Sequence, residues 1–282
     1  MTTATIPLPV TTAPTRARKV SILPTLTGRR LALTMRSPRS IAIPVLAPVL
    51  FALVVAPALA NSVASAAQRT TYMTFFCVAT AGLLIPLNCM FSGLSVLVDR
   101  QQGAMRELLV APISRASIVL ANVVAVMAVT SLQLVVLIAV SALRGAQYQT
   151  TSRMLWFLAA AVLLVVVTYG LAEILATRLT SAEEYTSVIP AIAIIPFFFA
   201  GSLFPITSLP SWLADVATVL PLTHALALFR YGLTAHGGQA LHNIWGMSND
   251  TTMAALSLGV LALYAGLILG GAIRLFTRAG TS

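Results

Sequence analysis

The chain has 282 residues, of which 58% are hydrophobic and 9% charged. A soluble domain carries roughly 25% charged residues, so this composition excludes an ordinary water-soluble protein and indicates an integral membrane one. The net charge of +10 comes from 17 basic and 7 acidic groups; such an excess often signals nucleic acid, but in a membrane chain positive-inside loops account for it, and no nucleic-acid partner is expected.

Residues 1–40 differ from everything after them. The first 15 are rich in Thr, Pro and Ala and read as disordered. Seven basic residues follow with no acid: Arg16, Arg18, Lys19, Arg29, Arg30, Arg36 and Arg39. A helix over about 25–37 has no single apolar face, since Leu26 and Leu33 share a side with Arg30. It reads as a basic interfacial segment held by lipid headgroups and snorkelling Arg stems. Residues 1–40 thus form a cytoplasmic tail, and 41–282 a membrane domain.

From residue 41 the chain divides into runs of the ~20 residues a spanning helix needs. They cover about 41–60, 72–98, 117–142, 154–177, 187–207 and 252–275. Ala58-Leu59-Ala60 resembles a signal-peptidase site, but the long basic lead and the five later spans favour retention of the first span. With a cytoplasmic N-terminus, the inside segments hold 13 basic residues and the outside ones four, Arg69, Arg144, Arg153 and Arg230. The positive-inside rule then puts both termini in the cytoplasm. Pro44, Pro48 and Pro57 in the first span, Pro86 in the second, and Pro190 and Pro196 in the fifth predict bent helices. Cys77 and Cys89 are too far apart on one helix, roughly 18 Å, for a disulfide.

Catalytic motifs are missing. A P-loop needs a lysine after its glycines, and Lys19, the only lysine, follows Arg18 with no glycine-rich loop. ATP, if it powers this chain, must bind another subunit. No nucleophile-elbow context surrounds any Ser, so enzymatic chemistry is not expected. His224, His236 and His242 match no compact zinc spacing, and no metal is expected. Asn249-Asp250-Thr251 is a glycosylation sequon that matters only in a secretory pathway. Glu173 is the one candidate intramembrane charge; the preferred reading is an interfacial carboxylate paired with Arg178, the alternative a member of an ion pathway. Gly266 and Gly270 fit the small-xxx-small pattern, read as packing within the chain rather than between chains.

Residues 99–116, DRQQGAMRELLVAPISRA, concentrate charge between two apolar spans. On a helix, Ala104, Met105, Leu108, Leu109 and Ala111 form one face, opposite Asp99, Gly103, Arg106 and Glu107. Pro112 stops this helix and Ser114 can cap the next span. The pattern predicts a short amphipathic helix, joined rigidly to a span at each end. It could lie on lipid or dock a soluble partner. Farther on, 197–233 reads FFFAGSLFPITSLPSWLADVATVLPLTHALALFRYGL. Its prolines cut it into helical pieces too short to cross, which read as re-entrant or interfacial helices at the outer face. Trp212 fits an aromatic belt.

Together the basic N-terminal stretch, six spans, the island DRQQGAMRELLVAPISR and the run FAGSLFPITSLPSWL…LPLTHAL resemble the ABC-2 type permeases, and within them the daunorubicin-resistance-type exporters of bacteria. The resemblance covers about 25–280. It implies an all-α membrane fold with six spans, an interfacial helix, a cytoplasmic coupling helix and external re-entrant helices. It implies that Asp99–Ser114 docks on an ATPase subunit, through Asp99, Arg100, Gly103, Arg106, Glu107, Leu108, Pro112, Ser114 and Arg115, with Glu183 and Glu184 making a second contact. Family members often show a Glu-Arg order near the Arg106-Glu107 of this chain. Pro205, Pro210, Trp212 and Pro221 would shape the external helices. Two permease chains, identical or homologous, would enclose a pathway above two ATPases carrying ATP and Mg, in a bacterial inner membrane. Phe197, Phe198, Phe199 and Phe204 would suit an amphiphilic drug, antibiotic or lipid-like cargo. Alternatives are an ion-coupled secondary carrier, a non-transporting scaffold or, within the family, a polysaccharide or glycolipid exporter.

Overall fold

The computed structural model describes residues 22–36, 38–61, 66–103 and 114–279, and these are helical with no strand among them. The N-terminal lead and residues 104–113 of the island lie outside the described residues. Helix α1, Ile22–Arg36, covers the expected interfacial segment. Helix α2, Pro38–Leu50, passes through a π-helical stretch, Phe51–Val55, into α3, Ala56–Ala60. The wide turn precedes Pro57, whose missing N–H leaves an ordinary helical bond unmade. Ala56 N–H bonds Phe51 O instead.

The long helices are α4, Ala66–Gln101, α5, Arg115–Leu143, and α6, Met154–Arg178. Helices α7, Ala182–Ala193, and α8, Ile195–Phe199, make one apolar rod broken between Pro190 and Pro196. After a 3-10 turn at Ile206–Ser208 come α9, Ser211–Val219, α10, Pro221–Leu233, α11, Gly238–Trp245, and α12, Asp250–Ala279. Among the described residues, five helices are long and apolar enough to cross a bilayer: Gln68–Gln101, Arg115–Leu143, Met154–Arg178, Ala182–Phe199 and Asp250–Arg278. The sixth expected crossing contains the shorter apolar helix Pro44–Ala60. Counted from Pro38, that helical path spans ~34 Å at 1.5 Å per residue, which matches a ~30 Å hydrocarbon layer.

The third and fourth spans fall within two residues of their expected bounds. The fifth does not: it runs over Ala182–Phe199 rather than 187–207. Its start is fixed by an N-cap, in which Ser181 Oγ accepts the Glu184 N–H at 3.0 Å. Its end is fixed by Gly201, whose φ of +77° leaves the helical region. Phe204 and Pro205 therefore lie beyond the span.

Helices α4, α6 and α10 form the centre. Close approach depends on Gly93 of α4, where a Cβ would sit 2.7 Å from Ala172 Cβ of α6 and against the Tyr185 hydroxyl of α7. That hydroxyl, fully buried, donates to Met90 O at 2.9 Å and lies 3.4 Å from Ala172 O. Asn88 of α4 donates to Thr130 Oγ1 of α5 at 2.8 Å, and Phe157 of α6 meets Phe229 of α10 edge-on at 5.1 Å. Inside a membrane such polar links and close contacts replace the hydrophobic drive between helices.

Helices α9 and α10 turn on each other by 81°. The turn at Leu220-Pro221 reaches deep: Tyr264, halfway along α12, donates to Val219 O at 3.0 Å. The far end of α10 returns to the loop between α5 and α6, where Gln149 N–H bonds Leu233 O at 2.9 Å. The pair is a bent hairpin, either a re-entrant loop or a broken span, and its break falls at Leu220-Pro221, where a proline stands. His224 holds it in place, with Nδ1 3.2 Å from Ser257 Oγ, Nε2 2.9 Å from Thr218 O, and the Trp245 ring 5.7 Å away.

Three further expectations change. Glu173 is not paired with Arg178 among the described residues: it is fully buried in α6, and neither of its carboxylate oxygens has a hydrogen-bonding partner there. Gly266 and Gly270 are not closely packed among the described residues, because a Cβ on either would meet nothing within 4 Å there. Arg230 is not a loop charge but a buried residue of α10, 8% exposed. Asn249 serves as the cap of α12, its Oδ1 accepting the Thr251 and Thr252 N–H groups at 3.0 and 3.2 Å.

Candidate functional site

The charged island begins inside α4. Asp99 and Arg100 occupy the last turn of that helix, which ends at Gln101, and Gly103 at φ +78° turns the chain away. The first residues of the expected helix over 99–111 belong to α4 instead. Arg106, Glu107, Leu108 and Pro112 lie outside the described residues.

The flanks of the island are tied to other helices. Arg100 Nη1 donates to Ala176 O at 2.8 Å and Thr177 O at 2.7 Å, and its Nη2 to Leu179 O at 2.7 Å. Gln101 Nε2 donates to Thr180 O at 2.8 Å. The last carbonyls of a helix have no partner within it and carry partial negative charge. Arg100 thus caps α6 from α4. Asp99 pairs with Arg30 of α1 at 2.6 Å, and Arg30 also reaches Ser95. On the other flank, Ser114 Oγ accepts the Ser117 N–H at 3.2 Å and caps α5 as its spacing predicts. Arg115 donates to Thr277 O in the last turns of α12. Glu183 and Glu184 sit exposed in the first turn of α7, where the helix dipole favours carboxylates. The island end therefore gathers Asp99, Arg100, Arg115, Glu183 and Glu184.

The opposite end holds a half-enclosed cavity of about 990 Å³. Its walls come from the start of α4, the loop after α5, the segment 200–207, and α10 with α11. The loop is fastened by Thr74, whose Oγ1 accepts the Gln147 N–H at 2.9 Å. Tyr148 Oη and Ser141 Oγ share a 2.6 Å hydrogen bond. Arg230 projects into this wall. Its Nη2 donates to Ser202 O at 3.0 Å, and its guanidinium lies 3.9 Å over the Phe75 ring. A second cavity, about 550 Å³ and mostly apolar, shares Thr71, Phe75 and Pro205 with the first.

With both ends described, the comparisons with known proteins decide the family. Residues 23–234 match the family described as ABC-2 type transporter.

The chain belongs to the ABC-2 type transporter family.

Two relatives are the proteins named "Putative transport permease ycf38" of Pyropia yezoensis and of Porphyra purpurea. The first is 26% identical over 170 residues, 57% of this chain and 57% of the relative. The second is 27% identical over 144 residues, 50% of this chain and 48% of the relative. The chain thus spans about half the length of the curated relatives it matches.

Seen as an ABC-2 family member, the chain has both its island flanks and the α9–α10 pair inside the matched region, with α11 and α12 beyond it. Of the four phenylalanines expected to line a pathway, Phe204 lines the second cavity and Phe199 is half-buried. Phe197 is buried in the core, in edge contact with Phe198 at 5.7 Å, and Phe198 is itself exposed. Pro205 borders both cavities, Pro210 and Pro221 precede and open the two hairpin helices, and Trp212 is exposed at the start of α9. The residue that sequence reasoning misplaced is Arg230. One signal was present: it interrupts the apolar run Leu226-Ala227-Leu228-Phe229, followed by Tyr231, and a cation in such a run is costly unless it has a task.

Proposed function

We propose that this chain is the membrane-spanning subunit of an ATP-driven exporter of amphiphilic molecules, with ATP and Mg bound by a separate ATPase that docks at the island. The observation that carries the reading is the pair of ties on either side of residues 104–113. A push on that segment acts on α4 and α5 directly, and through Arg100 and Arg115 on α6 and α12. Four spans would move as one body, which is what a chain without its own ATP site needs to receive work. Family membership supports the same reading. In this arrangement the island end, both termini and Glu183-Glu184 face the cytoplasm of a bacterial cell, and the Arg230 end faces outward. Moving Arg230 from the outer loops to the interior leaves the outer face with still less exposed positive charge, in keeping with that orientation. Two permease chains, identical or homologous, and two ATPase copies would complete the machine.

The test is purification with and without the products of neighbouring genes. An ATPase should co-purify, and Glu107→Arg should abolish substrate-stimulated ATP hydrolysis while the unfolding curve of the chain stays unchanged. Transport that persists on a proton gradient with no ATPase would refute the reading.

The burial of Glu173 favours a second reading, an ion-coupled carrier. Glu173→Gln separates the two. Export driven by ATP should continue in this variant, with a folded state at least as stable, because a buried unpaired carboxyl is replaced by a neutral amide of similar size. Loss of transport with retained fold and ATPase binding would favour the carrier.

A further inference from the structure

Arg230 is buried without a counter-ion. Its contacts are one carbonyl, Ser202 O at 3.0 Å, and the face of Phe75 at 3.9 Å. Its Nε has no partner, and no carboxylate reaches it among the described residues. Removing a cation from water without an opposite charge is strongly unfavourable, and a cation–π contact recovers only part of that. A negatively charged group is what the position lacks.

The cavity beside it can hold one. Its walls present hydroxyl and amide groups from Thr70, Thr74, Gln147, Gln239 and Asn243, and no acidic side chain lines it. The Phe75 ring carries the guanidinium and also borders the second cavity, which Tyr72, Leu203 and Phe204 make apolar. The cavity and this open apolar groove share Thr71, Phe75 and Pro205 in their linings. Their combined shape suits a molecule with a charge at one end and a hydrocarbon or aromatic body at the other.

We propose that the two cavities form one binding site for an anionic amphiphile, its phosphate or carboxylate head on Arg230 and its apolar body passing Phe75 into the Tyr72–Phe204 groove. The identification of that ligand as the exported cargo rests on the export reading above; the binding itself does not. The same chemistry is offered by a bilayer phospholipid and by a free amphiphile, so both serve as probes.

The experiment uses the full chain in nanodiscs of phosphatidylcholine, with empty discs as the partition control. Dodecyl phosphate, dodecyl maltoside and inorganic phosphate are titrated, and phosphatidylglycerol is exchanged for phosphatidylcholine in a parallel series read by native mass spectrometry. Dodecyl phosphate should bind at least tenfold more tightly than either of the other two soluble probes. Arg230→Gln should weaken dodecyl phosphate about ten- to hundredfold, the range of a charge-assisted hydrogen bond, and leave dodecyl maltoside unchanged. Phe204→Ala should weaken both detergents. Retention of phosphatidylglycerol over phosphatidylcholine that disappears in Arg230→Gln identifies bilayer lipid as an occupant; equal retention with tight dodecyl phosphate binding identifies a free amphiphile. If Arg230→Gln does not fold, Arg230→Lys should keep dodecyl phosphate within tenfold of the wild type, and Thr71→Phe, which blocks the junction, should abolish it. Folded Arg230→Gln binding dodecyl phosphate as the wild type does would overturn the proposal, as would unchanged binding in Thr71→Phe or equal affinity for inorganic phosphate. None of these outcomes depends on an ATPase, so failure here and failure of the export reading are separate results.

Discussion

Replacing Arg100 tests whether the charge at the island's edge serves the fold or a partner. In the structure its guanidinium donates three hydrogen bonds, of 2.8, 2.7 and 2.7 Å, to the last carbonyls of α6 and the residue after it. Arg100→Met keeps the stem and removes all three, leaving those carbonyls to water or to nothing. A charge-assisted bond contributes about 1.5–3 kcal/mol when buried. Arg100 is only half-buried, and three bonds from one group do not add fully, so about 1 kcal/mol each, or about 3 kcal/mol in all, is the expected cost. For a chain of this size that corresponds to a fall in Tm of about 6–10 °C. Arg100→Lys should recover part of the loss, since an ammonium can reach one or two carbonyls but cannot span them as a planar fork does. Cys77 and Cys89, both buried and free, supply the assay: a thiol-reactive dye reports their exposure as the isolated chain is heated. The expected order is wild type, Lys, Met. If Arg100→Met melts with the wild type, the capping argument is wrong, and Arg100 is free to serve a docking surface instead.

Other expectations follow from the same geometry. Gly93→Ala drives a methyl group against Ala172 and the Tyr185 hydroxyl and should cost about 1–3 kcal/mol. Tyr185→Phe in the same chain should recover part of that, and a strictly additive pair in the thiol-melting assay would show that the two side chains do not share the space. Arg230→Met should leave Tm unchanged or raise it, because a buried cation without a counter-ion gives way to an apolar side chain of similar volume. A fall of several degrees would mean that the Phe75 and Ser202 contacts outweigh the cost of burial.

Much of the fold was legible because apolar runs and helix signals coincide. The spans 115–143 and 154–178 begin and end where hydropathy says they should, and Ser114 caps as its position predicts. Counting apolar residues failed where polar residues help to build a helix. Ser181 and Glu184 open the fifth span, yet a carboxylate looks like loop to a hydropathy count. Asp99 and Arg100 were assigned to the island because their partners, Arg30 and the 176–179 carbonyls, lie roughly 70 residues or more away along the chain and leave no local trace. Arg230 was misplaced for a related reason. A segment too short to cross reads as external, and only its folding back between α4, α6 and α12 puts its cation inside. Gly266 and Gly270 show the converse: their spacing suits close packing, but neither is closely packed among the described residues.

The bent hairpin also has a consequence for the order in which the protein is made. Helix α10 has 13 residues, ~20 Å at 1.5 Å each, and it carries Arg230 and His224, so it has neither the length nor the composition to enter a bilayer as an independent span. Its broken backbone at Leu220-Pro221 is tolerable at depth only when protein surrounds it. Part of that surround is α12, through Ser257 and Tyr264, which is synthesised last. The hairpin can therefore settle at depth only once the C-terminal helix has entered. A ribosome that stalls before residue 250 would leave the earlier spans with α9 and α10 unsupported, and the larger cavity without the wall that α10 provides.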